Sequence, residues 1–313
     1  MATIAVFRKD LPNEKSPEHD GADTKVSIIG RQEVFDIYQM VPVNGTRPFN
    51  IRMSGGAVRI EVFSTLGAEL SIDGALPAKF QTLQSSGPPD RTFTIHGRGE
   101  GRTTIFALDE NRTILDRMIV SIKNERPLTY NMHLLGDSLR NTTKTMNGFR
   151  SIMTTVEKVY LLQANVRLVR RSERDEFFRI KKNLGDPIDV SQPLIPLLAS
   201  RPDLRVELQK RLVELGFFGE DLNIISTWRL KSEDGSLAGF TPDLGTTCLG
   251  EAKDDPIAEA TTFAHEIGHA LGLIHVPHVV EEMMNDNGRD SFRMTQVDID
   301  TVNRSGTKPL PQQ

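Results

Sequence analysis

The chain contains 313 residues, of which 38% are hydrophobic and 26% are charged, and its formal net charge is −4. This composition is typical of a soluble protein of two domains, and the negative balance excludes a general electrostatic attraction to nucleic acid or to an anionic membrane surface. No apolar run approaches the roughly 20 residues of a membrane-spanning helix, and the single cysteine, Cys248, excludes an internal disulfide framework; we expect its side chain to be buried as a small apolar group.

The first 24 residues are charged and contain prolines, and they show no sustained periodicity. We predict a flexible N-terminal arm over residues 1–24. The segment has neither a continuous apolar stretch nor a cleavage site, so no secretory signal is visible. These features fit a cytoplasmic protein, and they fit equally a secreted protein or an effector that is exported by a non-classical route.

Residues 25–126 contain short β-rich segments separated by glycine and proline turns, such as KVSIIG, EVFDIYQM and PFNIRM. Apolar residues alternate in RTTIFALD and in ILDRMIVSIK, and Asp-Glu-Asn-Arg lies between them, which predicts a hairpin. About 100 residues of this pattern predict an all-β sandwich domain. The block 99–123 resembles the last strands of a bacterial immunoglobulin-like domain. No binding motif is visible here, so the partner of this accessory domain stays unknown.

A second domain is predicted over residues 127–313, after the polar boundary at 124–127. LTYNMHLL predicts a strand, the following TTKTMNGFRSIMTTVEKVYLLQ has apolar residues at helical spacing, and ANVRLVRR predicts a second strand. A strand, a helix and a strand in this order imply a parallel pair joined by a crossover helix. Leucines at 204, 208, 212 and 215 predict another helix, and LNIISTWRL predicts a further strand, so this domain is expected to be α+β.

The most informative stretch is HEIGHALGLIH at residues 265–275. His265 and His269 are four residues apart, which places both rings on one face of a helix, where they can share a metal ion. Gly272 can adopt positive φ and turn the chain, which would bring His275 back toward the other two rings. Three histidines with an open fourth position indicate a catalytic Zn²⁺ site, and Glu266 lies beside it as a candidate general base.

This stretch resembles the signature of the metzincin zinc endopeptidases, His-Glu-x-x-His-x-x-Gly-x-x-His. The resemblance implies an α+β peptidase domain with a twisted mixed sheet, an active-site helix, and a methionine in a turn beneath the metal. Met284 is the favoured Met-turn residue and Met283 the alternative. Asn285 and Asp286 follow where some branches carry a tyrosine ligand, so the chain is more similar to the matrixin-like bacterial branch.

The resemblance also implies a substrate-binding edge strand over the cleft, and Leu237, Ala238, Gly239 and Phe240 occupy the matching place by order. An edge strand leaves backbone groups free to pair with an extended peptide. His278 is a rival third ligand, although the signature spacing favours His275. The oxygen-rich segment 285–290 is a candidate structural Ca²⁺ site, but it lacks a full calcium-loop pattern, and we favour turns.

Together these features predict a zinc endopeptidase acting on protein or peptide substrates, with Glu266 as catalytic base and His265, His269 and His275 as metal ligands. No nucleic-acid partner and no membrane span are expected. One alternative is a binding protein in which the β-sandwich grips a partner and the metal domain is degenerate. Another is a zinc hydrolase of a non-peptide amide, which the zinc motif alone does not distinguish from a peptidase.

Overall fold

The computed structural model describes residues 3–9, 13, 15–29, 32–63, 67–72, 75–84, 89–181, 183–190, 222–232, 235–241, 247–275, 282–285 and 291–304. The chain is rich in β-structure and forms several separate sheets, as the sequence predicts. The N-terminal strands are β1 (Ile4–Arg8), β2 (Ala22–Ile29), β3 (Gln32–Pro42), β4 (Thr46–Ser54), β5 (Val58–Val62), β6 (Ala68–Ile72), β7 (Phe80–Leu83), β8 (Asp90–Gly97), β9 (Gly101–Leu108) and β10 (Ile114–Lys123).

These ten strands form two sheets, and we call the strands, together with the described residues that connect them, the N-terminal β unit. One has the order β1-β4-β8-β6 and the other β2-β3-β10-β9-β5-β7. The predicted hairpin is present, because β9 and β10 pair antiparallel. On its other side β10 pairs parallel with β3. Alternate residues of both sheets, such as Phe49 in β4 and Ile60 in β5, are fully buried and belong to one hydrophobic core. Apolar side chains on one face of each sheet therefore hold the two layers together.

Eight of the 18 described residues in the segment 1–24, for which we predict a flexible arm, lie in strands β1 and β2. Ile4–Arg8 forms β1, which pairs antiparallel with β4, and Ala5 and Phe7 are each only 1% exposed. Phe7 packs against the rings of Phe49 and Phe93. The apolar run IAVF is too short to predict a strand by itself, but it is sufficient where a neighbouring strand supplies the hydrogen bonds and the core supplies the contacts.

The following part of the chain contains a mixed sheet with helices. Its elements are β11 (Arg126–Gly136), α1 (Met146–Ala164), β12 (Val166–Arg170), β13 (Glu176–Arg179), β14 (Ile188–Asp189), β15 (Leu222–Thr227), β16 (Leu230–Ser232), β17 (Gly235–Leu237), β18 (Gly239–Phe240), β19 (Thr247–Glu251), α2 (Pro256–Ala270) and α3 (Gln296–Val302). The main sheet has the order β12-β11-β15-β19-β18, and β13 also pairs with β11.

The predicted strand–helix–strand unit is confirmed, since β11 and β12 pair parallel and α1 connects them. Strand β15 and strand β19 extend the parallel pairing, and β18 pairs antiparallel with β19 at the end of this order. The predicted domain boundary between 126 and 127 falls at the start of β11 and stays a prediction. The leucine-rich helix predicted around 204–215 lies outside the described residues.

Helix α2 carries the first part of the histidine motif, and its ends follow from local sequence. The Asp255 side chain accepts hydrogen bonds from the Ile257 and Ala258 amides, and Pro256 occupies the first turn, as predicted. Phe263 packs with its ring centroid 5.0 Å from that of Phe149 in α1. These contacts fix α2 between α1 and the sheet.

Glycine at position 250 of β19 allows this close packing. A Cβ atom there would lie 2.5 Å from the Phe263 ring. The Tyr160 hydroxyl of α1 donates a hydrogen bond to the Ala264 carbonyl of α2, at 2.8 Å. None of the helices in the described ranges has the length and hydropathy needed to cross a membrane.

Candidate metal centre

Three histidine side chains meet at the C-terminal end of α2. The Nε2 atoms of His265 and His269 are 3.0 Å apart, and each lies 3.1 Å from Nε2 of His275. The first two rings are partly buried and His275 is exposed. The helical spacing brings the first two rings together, and the turn after α2 returns the third.

The turn is built by backbone hydrogen bonds that require glycine at position 272. The Leu273 amide donates to the Gly268 carbonyl and the Gly272 amide to the His269 carbonyl, each at 2.9 Å. This pair of hydrogen bonds is a common way for a helix to end, and it needs a residue in the left-handed conformation. Gly272 is that residue, with φ +93°. The glycine therefore reverses the chain in the way that the sequence predicts.

Backbone carbonyls orient two of the rings. Nδ1 of His265 lies 2.7 Å from the Met283 carbonyl oxygen, and Nδ1 of His269 lies 2.9 Å from the Leu273 carbonyl oxygen. A carbonyl only accepts, so each ring donates its proton from Nδ1 and presents an unprotonated Nε2 to the centre of the cluster. These carbonyl partners were not predictable, because every residue carries one.

Burial keeps these two rings neutral. Burial, and then the adjacent His269, lower the pKa of His265 to about 4. Burial also lowers the pKa of His269. Neutral imidazoles are the form that binds a metal ion.

The donor set fits a zinc ion. Two neutral rings whose Nδ1 atoms are protonated place two lone pairs against each other at 3.0 Å, an arrangement that repels unless a cation lies between them. In tetrahedral zinc coordination with Zn–N bonds of about 2.0–2.1 Å, ligand nitrogens lie roughly 3.3 Å apart. The three Nε2 atoms are already close to that spacing. Among the residues that the structure describes, the cluster consists of these three histidines, and three protein ligands are typical of catalytic zinc sites.

Glu266 lies on the same helix, beneath strand β18. Its side chain is buried, and its Oε2 atom is 2.7 Å from the Thr241 hydroxyl oxygen. That hydroxyl is also 2.9 Å from the Glu266 carbonyl oxygen. Burial raises the pKa of Glu266 to about 8, and the hydrogen bond from Thr241 opposes this rise. Thr241 was not predicted as a site residue, and no sequence pattern distinguishes it.

The predicted edge-strand residues divide between two sheets. Leu237 ends β17, which pairs with β16 in a separate three-stranded sheet, whereas Gly239 and Phe240 form β18 beside β19. Ala238 connects the two strands, and its carbonyl accepts a hydrogen bond from the Glu251 amide at 2.8 Å. Of these four residues, Gly239 and Phe240 belong to β18, which is the last strand of the main sheet in the described strand order. A Cβ atom at Gly239 would lie 2.5 Å from Glu266 Oε1, so this strand directly covers the carboxyl group.

The two candidate Met-turn residues lie in one turn, in which the Asn285 amide donates to the Glu282 carbonyl at 3.2 Å. Met284 is fully buried, and its sulfur would lie 2.7 Å from a Cβ atom at Gly268. Met283 is also buried and supplies the carbonyl that binds His265. The Met283 side chain also lies against α2, since its Cε atom would be 3.3 Å from the same added Cβ at Gly268.

Three further predictions concern residues near the site. Cys248 is fully buried, as predicted, and burial raises the pKa of its thiol. The rival ligand His278 lies outside the described residues. Residues 286–290 of the candidate Ca²⁺ segment 285–290 also lie outside the described residues. Asn285 is the one described residue of that segment, so the calcium interpretation stays a prediction.

Comparisons with known proteins add little. No family model matches the chain, and no curated protein matches it. The surface layer protein SbsC, domains 1–6, is 19% identical over 28% of this chain and 12% of that chain, with a TM-score of 0.23. SbsC domains 4 and 5 are 14% identical over 38% of this chain and 53% of that one, with a TM-score of 0.21.

A lipoprotein from Bacillus anthracis, described as putative in its name, is 12% identical over 32% of this chain and 85% of its own, with a TM-score of 0.23. The chain spans 12% of the first surface-layer chain and 53% of the second, which is less than two thirds of either. Such TM-scores do not establish a shared fold, and none of these names refers to a peptidase. The resemblance to metzincins therefore rests on the residues around the histidine cluster.

Proposed function

We propose that this protein is a zinc-dependent endopeptidase. The observation that supports the proposal best is the convergence of three Nε2 atoms within 3.1 Å of one another, beside a buried glutamate on the same helix. His265, His269 and His275 would hold Zn²⁺. When bound, zinc would supply a Lewis acid that activates water and polarises the carbonyl of the bond to be cut.

Glu266 is the proton carrier in this proposal. Its carboxylate accepts a proton from the attacking water and later delivers it to the nitrogen of the leaving amine, so that water adds to the carbonyl carbon while the C–N bond breaks. Thr241 can serve both protonation states. Its hydroxyl donates to Oε2 of the carboxylate, or it donates to the Glu266 carbonyl and accepts from the protonated carboxyl group.

Strand β18 is the proposed place for the substrate backbone. Within the described strand order it is the last strand of the main sheet, and it runs antiparallel to β19. An extended peptide added at this edge would lie next to Gly239, the residue that covers Glu266. A protein or peptide substrate is therefore proposed.

The finer fold assignments are part of the same proposal. The described main sheet ends in the antiparallel strand β18, helix α2 carries two of the three histidines, and the methionine turn packs against α2. These features support a metzincin-like peptidase domain of the matrixin-like branch over residues 127–313. Two packed sheets with an antiparallel last hairpin support an immunoglobulin-like domain over residues 25–126.

The test is a comparison of Glu266→Gln with Glu251→Gln, which changes a carboxylate at the end of β19. Wild-type protein and both variants are loaded with one equivalent of zinc, dialysed, and assayed for bound metal and for cleavage of unfolded casein. We expect all three to retain zinc, and Glu266→Gln alone to lose roughly 10²–10⁴-fold in kcat. A wild-type chain that retains no zinc, or a Glu266→Gln variant with full activity, would contradict the proposal.

A further inference from the structure

The end of α1 is held by residues of the N-terminal β unit. The Arg47 guanidinium donates to the Leu162 carbonyl at 2.9 Å, and Lys158 pairs with Glu18. The side chains of Tyr38 and Met40, on strand β3, are buried in the same hydrophobic cluster as α1 and α2. The hydrophobic core around α1 and α2 therefore includes residues from the first 40 positions of the chain.

The polar contacts continue around the last residue of α1 and its cap. Asn165, in the left-handed conformation at the end of the helix, donates to the Lys123 carbonyl at 2.9 Å. Lys123 also forms an ion pair of 2.6 Å with Asp300 of α3. Partly buried polar contacts of this kind hold the helix end in position.

Gln163 lies at the centre of this junction. Its side chain is 1% exposed, and both polar atoms are used: Nε2 donates to the Phe292 carbonyl at 2.7 Å, and Oε1 accepts from the Met294 amide at 2.9 Å. A single side-chain amide thus binds both a carbonyl and an amide group of the backbone segment 292–294. Its own backbone faces the β unit, because a Cβ atom at Gly21 would lie 2.5 Å from the Gln163 carbonyl oxygen.

Hydrogen bonds connect the backbone segment that Gln163 binds to the histidine cluster. Arg293 lies between Phe292 and Met294, and its carbonyl accepts a hydrogen bond from the Met283 amide at 2.7 Å. The carbonyl of the same Met283 is the partner of His265 Nδ1, also at 2.7 Å. Each step is a direct hydrogen bond or a peptide link, so displacement of Gln163 would move the group that orients His265.

We propose that Gln163 is a positioning residue for His265, and that the N-terminal β unit keeps Gln163 in place and so forms a structural part of the metal centre. This inference rests on the proposed zinc site. It assigns the β unit a role that a separable binding module would not have. Partners of metal-ligating histidines typically contribute 10–100-fold to metal affinity, and Gln163 acts one hydrogen bond further away, so a loss of about tenfold is expected.

The first experiment replaces Gln163 with methionine, which keeps the length of the side chain and removes both hydrogen bonds. The control is Asn303→Leu, because Asn303 is 3% exposed and donates to the carbonyls of Asn124 at 3.1 Å, of Ala164, and of Asn165 at 3.4 Å, none of which belongs to residues 291–294. Full-length proteins are titrated with Co²⁺, and the visible absorption reports both affinity and ligand geometry. Thermal unfolding of the zinc-free proteins measures stability separately.

We expect Gln163→Met to raise the dissociation constant for Co²⁺ about tenfold and to alter the absorption band, while Asn303→Leu lowers the unfolding temperature and changes the dissociation constant less than threefold. If the two variants weaken Co²⁺ binding equally, the effect is general destabilisation, and the positioning role is wrong. It is also wrong if Gln163→Met binds Co²⁺ as the wild type does.

The second experiment approaches Gln163 from the β unit and does not alter Gln163 itself. Gly21→Ala forces the chain against the Gln163 carbonyl oxygen and against Met40, and its φ of +80° adds strain. Gly67→Ala is the matched control, because Gly67 has φ +97° but its neighbours, Ile122 and Gly99, lie within the β unit. We expect weaker Co²⁺ binding in Gly21→Ala only.

Equal Co²⁺ affinity of the two alanine variants would overturn the role of the β unit. A wild-type protein that binds neither Co²⁺ nor Zn²⁺ would overturn the proposed function and this inference together. A wild-type protein that binds metal, with an unaffected Gln163→Met variant, would overturn the inference alone.

Discussion

Alanine at position 239 is the sharpest test of the contact between the edge strand and the proposed base. A Cβ atom there would lie 2.5 Å from Oε1, 2.6 Å from Cγ and 2.8 Å from Cδ of Glu266. Ordinary van der Waals contact begins at 3.4 Å, so the carboxyl group or the strand must move by about 0.9 Å. A misplacement of about 1 Å at a reacting group can lower the rate roughly 100-fold, which corresponds to about 2.7 kcal/mol of activation free energy.

The assay is cleavage of unfolded casein by zinc-loaded Gly239→Ala, with bound zinc and the unfolding temperature measured on the same samples. Gly99→Ala is the control, because Gly99 lies in the N-terminal β unit and an added Cβ would meet no atom within 4 Å. We expect zinc content to be unchanged and kcat to fall about 100-fold in Gly239→Ala alone. Full activity in that variant would show that Glu266 does not need its present position.

Three further predictions follow from individual contacts. Thr241→Val removes the hydroxyl beside Glu266 Oε2, so we expect kcat to fall about tenfold with KM unchanged, and Thr241→Ser to restore it; a Val variant with normal kcat would contradict this. Lys144→Met leaves the fully buried Glu259 carboxylate without its partner at 2.7 Å, so urea unfolding should show a loss of about 3 kcal/mol, and a loss below about 1 kcal/mol would mean that the pair is dispensable. The zinc-free protein should lose stability as the pH falls from about 6.5 to about 4, because in this range His265 binds a proton in the unfolded chain but not in the folded one. A His265→Gln variant should lose less stability over the same range. If the free energy of unfolding changes equally with pH in the two proteins, the lowered pKa of His265 is contradicted.

The local features of α2 were predictable because each depends on residues close together in the chain. Asp255 caps the helix, histidines four residues apart share a face, and Gly272 supplies the positive φ that the turn requires. The crossover unit around α1 was predictable for a similar reason, since its apolar spacing is helical and its flanking segments are β-rich. In these stretches local preference and tertiary packing favour the same conformation.

The features that were missed depend on contacts between distant residues. Strand β1 is only five residues long and is stabilised by β4, more than 40 residues away. Thr241 reaches Glu266 only because β18 lies across α2, and Gln163 reaches Phe292 across 129 positions. No periodicity reports such pairs, because a polar side chain on a buried face looks the same in sequence whether its partner is water or a distant carbonyl.

The two buried glutamates of α2 differ in whether a positive charge compensates the carboxylate. Glu259 is fully buried, but it pairs with Lys144 and accepts a hydrogen bond from the Lys253 amide, so its charge is compensated. Within the described part of the chain Glu266 forms no ion pair, and its hydrogen-bonding partner there is the neutral Thr241 hydroxyl. Burial without a compensating charge raises its pKa to about 8, which means that the carboxylate is destabilised in this position. A helix that served only as a scaffold would be more stable with an apolar residue there. Such a carboxyl group is expected where a cation held by the adjacent histidines restores the charged form and makes it useful as a base.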